Sequence, residues 1–555
     1  MQLTEHQNRA ITSPSKNLLV LAGPGSGKTR VLCERIRYLI TSGVAPAEIV
    51  VLTFTNSAAK VIQGRVGESK LGFIGTLHGF MLRLCTAHAS AIGYGGKISV
   101  VDADQAEDFL VSVVAKLKLK ATKGEIETAI ALGPRALCSC TPASLIASDY
   151  FRTMRKNGLM DFDMVLHYGL EVAGYTGWMK TEPKHLLCDE NQDSALIDNL
   201  IYDKLPIENK FFVGDPDQSI YQFRGANVGC ILHRSEHEDV EVIRLEGNFR
   251  CGSDICAVAQ SLIIHNPDRI DKRTVSMTGR TGDVDLWKDI PTPGFEMQTL
   301  ARDIIEKKAP TAAVLLRSNA LAREYAEALK GAGVEVQEKK QTAYPADWRL
   351  TRALLAVLSN PSNDALARMY LTVKHGPHEA DVAARQAAKA MHTINAECLH
   401  FQPLADPVDW NYVTTQLAQA GCTPQSLELV TVAVGDLPAD AGMADLLFAF
   451  ASEQNTQEEA GTGTVVTTYH AAKGRQWHTV YLPAFEQAVI PGARKYPTEE
   501  AKAAALEEER RLAYVGMTRA LGRLVISYCQ QRKTTWGFKP EPASPSQFLA
   551  EAGLL

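Results

Sequence analysis

Nowhere in the 555 residues does an apolar run approach the roughly 18 needed for a membrane-spanning helix, and the N-terminus, MQLTEHQ, lacks the basic and apolar regions of a secretory signal. A cytoplasmic location with no membrane partner is the expectation. Basic charge is not in surplus: 58 Lys and Arg against 63 Asp and Glu leave a net charge of −5 and a pI near 6.3. That excludes polycation behaviour and confines any nucleic-acid site to a local basic groove whose binding is salt-sensitive. The eleven cysteines lack metal-site spacing, since Cys138-x-Cys140 and Cys251-x4-Cys256 do not form the paired pattern of a zinc ligand set; thiols in a reducing compartment are expected. Solenoid repeats and low-complexity tracts are missing too. What remains, 45% hydrophobic and 22% charged residues, is an ordinary folded chain of about three to four domains by length.

Against this plain background, Leu21 to Thr29 reads LAGPGSGKT. The spacing is that of a phosphate-binding loop, with Ala22 in place of the usual opening glycine and Gly23 and Gly25 within the loop. It follows the apolar run Leu18–Leu21 and precedes a helical pattern from Arg30 to Ile40, so strand, loop and helix come in the required order. Glycines let backbone N–H groups turn onto phosphate oxygens, Lys28 can reach the β and γ phosphates, and the Thr29 hydroxyl can hold Mg²⁺. The expected ligand is a nucleoside triphosphate, bound by Gly23, Gly25, Ser26, Gly27, Lys28, Thr29 and Arg30. The loop does not say what hydrolysis drives, because several classes of motor and kinase share it.

Further strand-like runs precede polar loops at 49–55, 185–190, 210–215, 312–318, 464–470, 479–483 and 523–528, with helical patterns such as Ser57–Val66 and Leu506–Ala520 between them. The organisation is α/β with parallel sheets and ligands at the strands' C-terminal ends. Two stretches, near 88–180 and 371–455, are mostly helical and read as insertions. One run ends in Asp189-Glu190-Asn191-Gln192-Asp193. Two acids closing a strand are ordinarily a solvated turn; beside a phosphate loop, Asp189 can hold Mg²⁺ and Glu190 can polarise the attacking water.

Several segments carry a family resemblance: Leu3-Thr4-Glu5-His6-Gln7; Leu52-Thr53-Phe54-Thr55-Asn56; Gly75-Thr76-Leu77-His78-Gly79-Phe80; Asp161-Phe162-Asp163; Gly214 to Ala226 (GDPDQSIYQFRGA); Asn248-Phe249-Arg250; Val314 to Asn319; Thr468 to Gly474 (TYHAAKG); and Glu508 to Ala520. In order and over nearly the whole length they resemble the superfamily 1 helicases of the UvrD/Rep/PcrA type. The resemblance implies two RecA-like parallel-sheet motor domains, each with a mainly helical insertion. The expected division is a first motor domain at 1–87 and 181–240 around an insertion at 88–180, and a second at 241–370 and 456–555 around a reduced insertion at 371–455.

The resemblance also implies site roles. Gln7 would read adenine and Phe249 stack on it, Arg250 would meet phosphate, Gln218 would sense the γ-phosphate, and Gly474 and Gln476 would lie at the nucleotide. Arg519 would be the arginine finger; on a continuous helix it shares a face with Arg511, and a plain solvated charged face stays open as the reading of Glu507 and Arg510. Phe54, Asn56, His78, Tyr221, Phe223, Arg224, Arg317 and His470 would line single-stranded DNA, the aromatics stacking on bases. The implied activity is that of an ATP- and Mg²⁺-dependent 3′-to-5′ translocase and helicase acting on single strands and single-strand/duplex junctions in replication, repair or recombination. Two other readings stand beside it: a motor subunit of a larger complex that unwinds poorly alone, and a nucleotide-gated DNA-binding subunit without catalysis. Three departures from the pattern are visible: Gln476 replaces a family glutamate, Asn191 replaces a tyrosine, and the second insertion is short.

Overall fold

The computed structural model describes residues 2–555 apart from 68–69, 135–140, 178–180, 223–224, 340–344, 391–392, 400, 403, 405–407, 436–442, 444–445, 448–449, 451–458, 461–462, 493–495 and 534–539. Phe223 and Arg224 therefore lie outside the described residues. Six strands form the first sheet: β1 Asn17–Ala22, β2 Ile49–Thr53, β3 Phe73–Thr76, β4 His185–Cys188, β5 Asn209–Gly214 and β6 Glu241–Leu245, in the order β3-β2-β4-β5-β1-β6. Five more form the second: β7 Asp283–Ile290, β8 Ala312–Leu316, β9 Val465–Thr468, β10 Trp477–Leu482 and β11 Ala520–Cys529, in the order β7-β11-β10-β8-β9. Every pairing in both is parallel. The central strands are buried along nearly their whole length, because helices cover both faces; that is why they read as unbroken apolar runs rather than alternating ones.

Two expected boundaries move. β6 pairs with β1 from Leu18 opposite Glu241 to Ala22 opposite Leu245, so the first sheet extends past residue 240. The second insertion also begins earlier than 371. Helices Trp348–Ser359 and Asp364–His375 join a core that also takes in the first insertion and one face of the first sheet. Polar contacts seal this junction: Arg352 reaches Asp102 at 3.1 Å and Asp104 at 2.5 Å, and Lys97 Nζ donates to the Ser359 carbonyl at 2.7 Å. Separate cores lie on the other face of the first sheet and on the two faces of the second.

The helix expected to run to Ala520 spans Glu499–Met517. Arg519 follows its end and does not share a face with Arg511, which pairs instead with Glu507 at 2.8 Å. Glu507 and Arg510 are buried, not solvated, because the C-terminal helix Gln547–Glu551 brings Glu551 onto Arg510 at 2.7 Å. Among the described residues no helix is long and apolar enough to cross a membrane.

Candidate functional site

β1 ends at Ala22, and the chain turns through Gly25 and Gly27, at φ 67° and 86°, into the helix Lys28–Thr41. Only glycine takes such angles without strain. Ser26 closes the loop by donating its hydroxyl to the Gly23 carbonyl at 2.8 Å. Because the helix starts at Lys28, the N–H groups of its first turn, where Thr29 and Arg30 stand half-buried, lack intrahelical acceptors and suit an anion. Gln7 braces the loop from behind. Its Oε1 accepts from the Thr4 N–H at 3.0 Å in a capping box, and its Nε2 donates to the Ser26 carbonyl at 2.9 Å.

At the end of β4, Glu190 takes a left-handed φ of 51°, which turns its carboxylate toward the loop. Lys28 Nζ lies 3.2 Å from Glu190 Oε2, and Gln192 Nε2 donates to the same oxygen at 2.5 Å. Burial opposes ionisation of Glu190, but the Lys28 and Lys473 ammonium groups outweigh it and hold the carboxyl below its usual range. Asp189 is pushed the other way by burial and by the Glu190 charge beside it. One hydroxyl from Thr29 and one carboxyl from Asp189, beside a phosphate loop, are a hard oxygen donor set that suits Mg²⁺. An added cation would relieve the cost of ionising Asp189.

The segment after β6 docks on the loop. Asn248 Nδ2 donates to the Pro24 carbonyl at 2.7 Å and the Phe249 N–H to the Gly25 carbonyl at 2.9 Å. A Cβ on Gly25 would come within 2.6 Å of Arg250 Cβ, so this glycine is also needed for the approach. Arg250 Nε donates to Gln476 Oε1 at 2.8 Å, two residues beyond Gly474, whose φ is 84°.

Arg519 is fully buried and reaches Gln218 on the other motor domain, its Nη2 lying 3.3 Å from Gln218 Oε1. Its Nε takes the Val515 carbonyl at 2.9 Å, one of the acceptors left open where the helix stops. Burial, together with the nearby Arg250 charge, lowers Arg519 to about 9, which leaves it charged at neutral pH. Gln218 presents its amide both ways, Nε2 donating to Asp215 Oδ2.

A second set of side chains forms a row across the two domains. Phe54, 41% exposed, stacks on Tyr221 with ring centroids 5.4 Å apart and planes at 14°. His470 lies 6.5 Å beyond Tyr221, and Lys473 Nζ sits 4.8 Å from the Tyr221 ring centre. Asn56 opens the helix Asn56–Val66 next to Phe54. His78 packs 5.9 Å from Phe162, and burial lowers it to about 4, so at neutral pH it is a neutral ring and not a cation. Arg317 differs from the expectation of an open DNA contact: it forms a fork with Glu509, with Nε to Oε2 at 2.8 Å and Nη2 to Oε1 at 2.5 Å.

Lys473 and Asp193, each inside a quoted motif, meet across the two domains. Lys473 donates to Asp193 Oδ2 at 2.6 Å and to the Gln218 carbonyl at 2.9 Å, joining the aromatic row to the nucleotide face. A lone lysine in TYHAAKG and a third acid in DENQD were the available signals; their mutual pairing was not.

Residues 3–239 match the family model of the UvrD/REP helicase N-terminal domain, and residues 444–531 match that of the UvrD-like helicase C-terminal domain. The chain is 29% identical to "ATP-dependent DNA helicase UvrD1" of Mycobacterium tuberculosis, covering 99% of this chain and 85% of that protein. It is 27% identical to "ATP-dependent DNA helicase PcrA" of Bacillus subtilis, over 98% and 85%, and 27% identical to "DNA helicase II" of Escherichia coli, over 99% and 87%.

Proposed function

The chain belongs to the UvrD-like helicases of superfamily 1, and from that premise we propose that it is an ATP-dependent DNA helicase that moves 3′ to 5′ along single-stranded DNA and opens duplex at junctions. The observation that carries this reading is the contact of Arg519 with Gln218 across the two motor domains, next to an aromatic row built from both. ATP held by Lys28 from one side and Arg519 from the other draws the domains together, and loss of the γ-phosphate releases them. Glu190, kept ionised by Lys28, is the group to orient and polarise the attacking water. Mg²⁺ on Thr29 and Asp189 neutralises phosphate charge when bound. Phe54 and Tyr221 offer bases a π-face that does not discriminate among them, so each closing and opening advances the strand without reading its sequence.

Strand displacement on duplexes with a 3′ or a 5′ single-stranded tail tests this directly. Unwinding of the 3′-tailed duplex alone is the expected result, and preference for the 5′ tail overturns the polarity. A second reading, an ATP-driven translocase that unwinds poorly alone, is favoured by one feature: residues 371–455 carry three Lys and Arg against ten Asp and Glu, a balance that repels duplex phosphates. Strong DNA-stimulated hydrolysis without displacement of either substrate would select it.

A further inference from the structure

Lys272 lies outside every motif quoted above and is fully buried. Its Nζ sits 2.5 Å from Asp215 Oδ1 and 2.6 Å from Asp217 Oδ2, and Arg269 Nη2 reaches the same Asp217 oxygen at 3.0 Å. Two cations thus balance two carboxylates in the interior. Asp215 uses its other oxygen to accept from Gln218 Nε2, and Gln218 Oε1 faces Arg519. The lysine's backbone carbonyl accepts from Gln260 at 3.3 Å, on a helix, Ser253–Ile263, that packs in the second motor domain's core. Its Cε would also lie 3.9 Å from a Cβ placed on Gly23 of the phosphate loop.

Resting on the ATPase reading above, we propose that Lys272 is a positioning residue for hydrolysis: it fixes the Asp215 carboxylate so that Gln218 keeps its carbonyl toward Arg519 and its amide away from it. A terminal amide is nearly symmetric in shape, so only its partners decide which atom faces the γ-phosphate and the finger. Without the ammonium, the Asp215 carboxylate loses the partner that pins its Oδ1, and its uncompensated charge in a dry interior drives it off the position from which Oδ2 orients the Gln218 amide. Nucleotide binding, held by the loop and Lys28, does not depend on this orientation; turnover does.

The test is a cycle on the full chain of Lys272→Met, Gln218→Ala and the double variant, reading ADP affinity and ATP turnover. Lys272→Met is expected to bind ADP within about threefold of the parent while kcat falls about ten- to a hundredfold, and the double variant is expected to be no slower than Gln218→Ala alone. Losses that multiply, or a Lys272→Met kcat within about twofold of the parent, overturn the proposal. Should Lys272→Met fail to fold, Lys272→Met with Asp217→Asn keeps the cluster's charge balanced and carries the same expectations. Gln218→Ala at the parent rate would instead bring down the nucleotide-site reading on which this one stands.

Discussion

On the proposed reading Arg519 and Lys28 grip the same phosphates from opposite domains, yet they are expected to fail differently. Lys28 is proposed to bear on bound nucleotide and transition state alike, so Lys28→Ala should remove DNA-stimulated hydrolysis while the loop, held by Gln7 and Asn248, keeps its fold. Arg519 touches Gln218 and is proposed to meet the γ-phosphate. An arginine finger is worth about 10³ to 10⁵ in turnover and much less in ground-state affinity. ATP should therefore still bind to Arg519→Ala while kcat collapses, measured by nucleotide titration beside steady-state turnover; a fall under about tenfold would pass the role to Arg250. Tyr221 supports a second expectation at this scale. It sits between Phe54 and His470 with Lys473 over its ring, and stacking on an aromatic is worth about 1–3 kcal/mol per base. Tyr221→Ala should weaken single-strand binding by about five- to a hundredfold for every base composition; loss confined to one base would mean that the row reads sequence.

At the scale of elements, the helix Phe162–Val172 shows how a cap can carry pH dependence. Asp161 caps it, Oδ1 accepting the Met164 N–H at 2.7 Å and Oδ2 accepting the Tyr150 hydroxyl. Burial outweighs these bonds and raises the carboxyl to about 6, against roughly 3.9 in an unfolded chain. The folded state thus holds a proton that the unfolded state has released, and the group's stabilisation is present below about pH 4 and lost as pH rises through about 6. Relative to Asp161→Asn, the parent should lose on the order of 2–3 kcal/mol between pH 4 and 7 in denaturant titrations; a difference that does not change with pH would show the cap to be ionised throughout.

Elements were legible in the sequence where one local pattern decided them. The runs at 49–55, 185–190 and 312–318 became β2, β4 and β8 because strands buried on both faces have no polar alternation to blur them. β6 was assigned to the wrong domain for the opposite reason: an edge strand, EVIRL, is half-exposed and carries no mark of its partner. The turn of the phosphate loop and the adjacent acids at 189–190 follow from close spacing, whereas Gln218 was singled out only through the family resemblance. Arg317 with Glu509, Lys473 with Asp193 and Lys272 with Asp215 are separated by 192, 280 and 57 positions, and no periodicity records a pairing between residues so far apart in the chain.

At the scale of the whole molecule, the two insertions are joined to each other and to the first motor domain by one core. One core runs from the first sheet through the first insertion into Trp348–Ser359 and the helices beyond, so the two insertions form a joined body that the motor must move as one. Arg352 is the polar fastening of that joint, half-buried between the buried Asp102 and the exposed Asp104. Burial raises the Asp102 carboxyl while Arg352 pulls it down, so removing the guanidinium leaves an uncompensated acid in the interior, a loss of about 3–5 kcal/mol when a buried pair is broken. Neither Arg352 nor Asp102 bonds to Lys28, Gln218 or Arg519. Arg352→Ala is therefore expected to lower the melting temperature and to reduce strand displacement on a 3′-tailed duplex several-fold, while single-strand-stimulated ATP turnover stays within about twofold of the parent, since hydrolysis needs only the motor domains and duplex separation needs a stiff body to push against. Turnover that falls in step with displacement would place the joint inside the motor's own cycle. An unchanged melting temperature would show that the apolar core alone holds the insertions together and that the ion pairs add nothing to it.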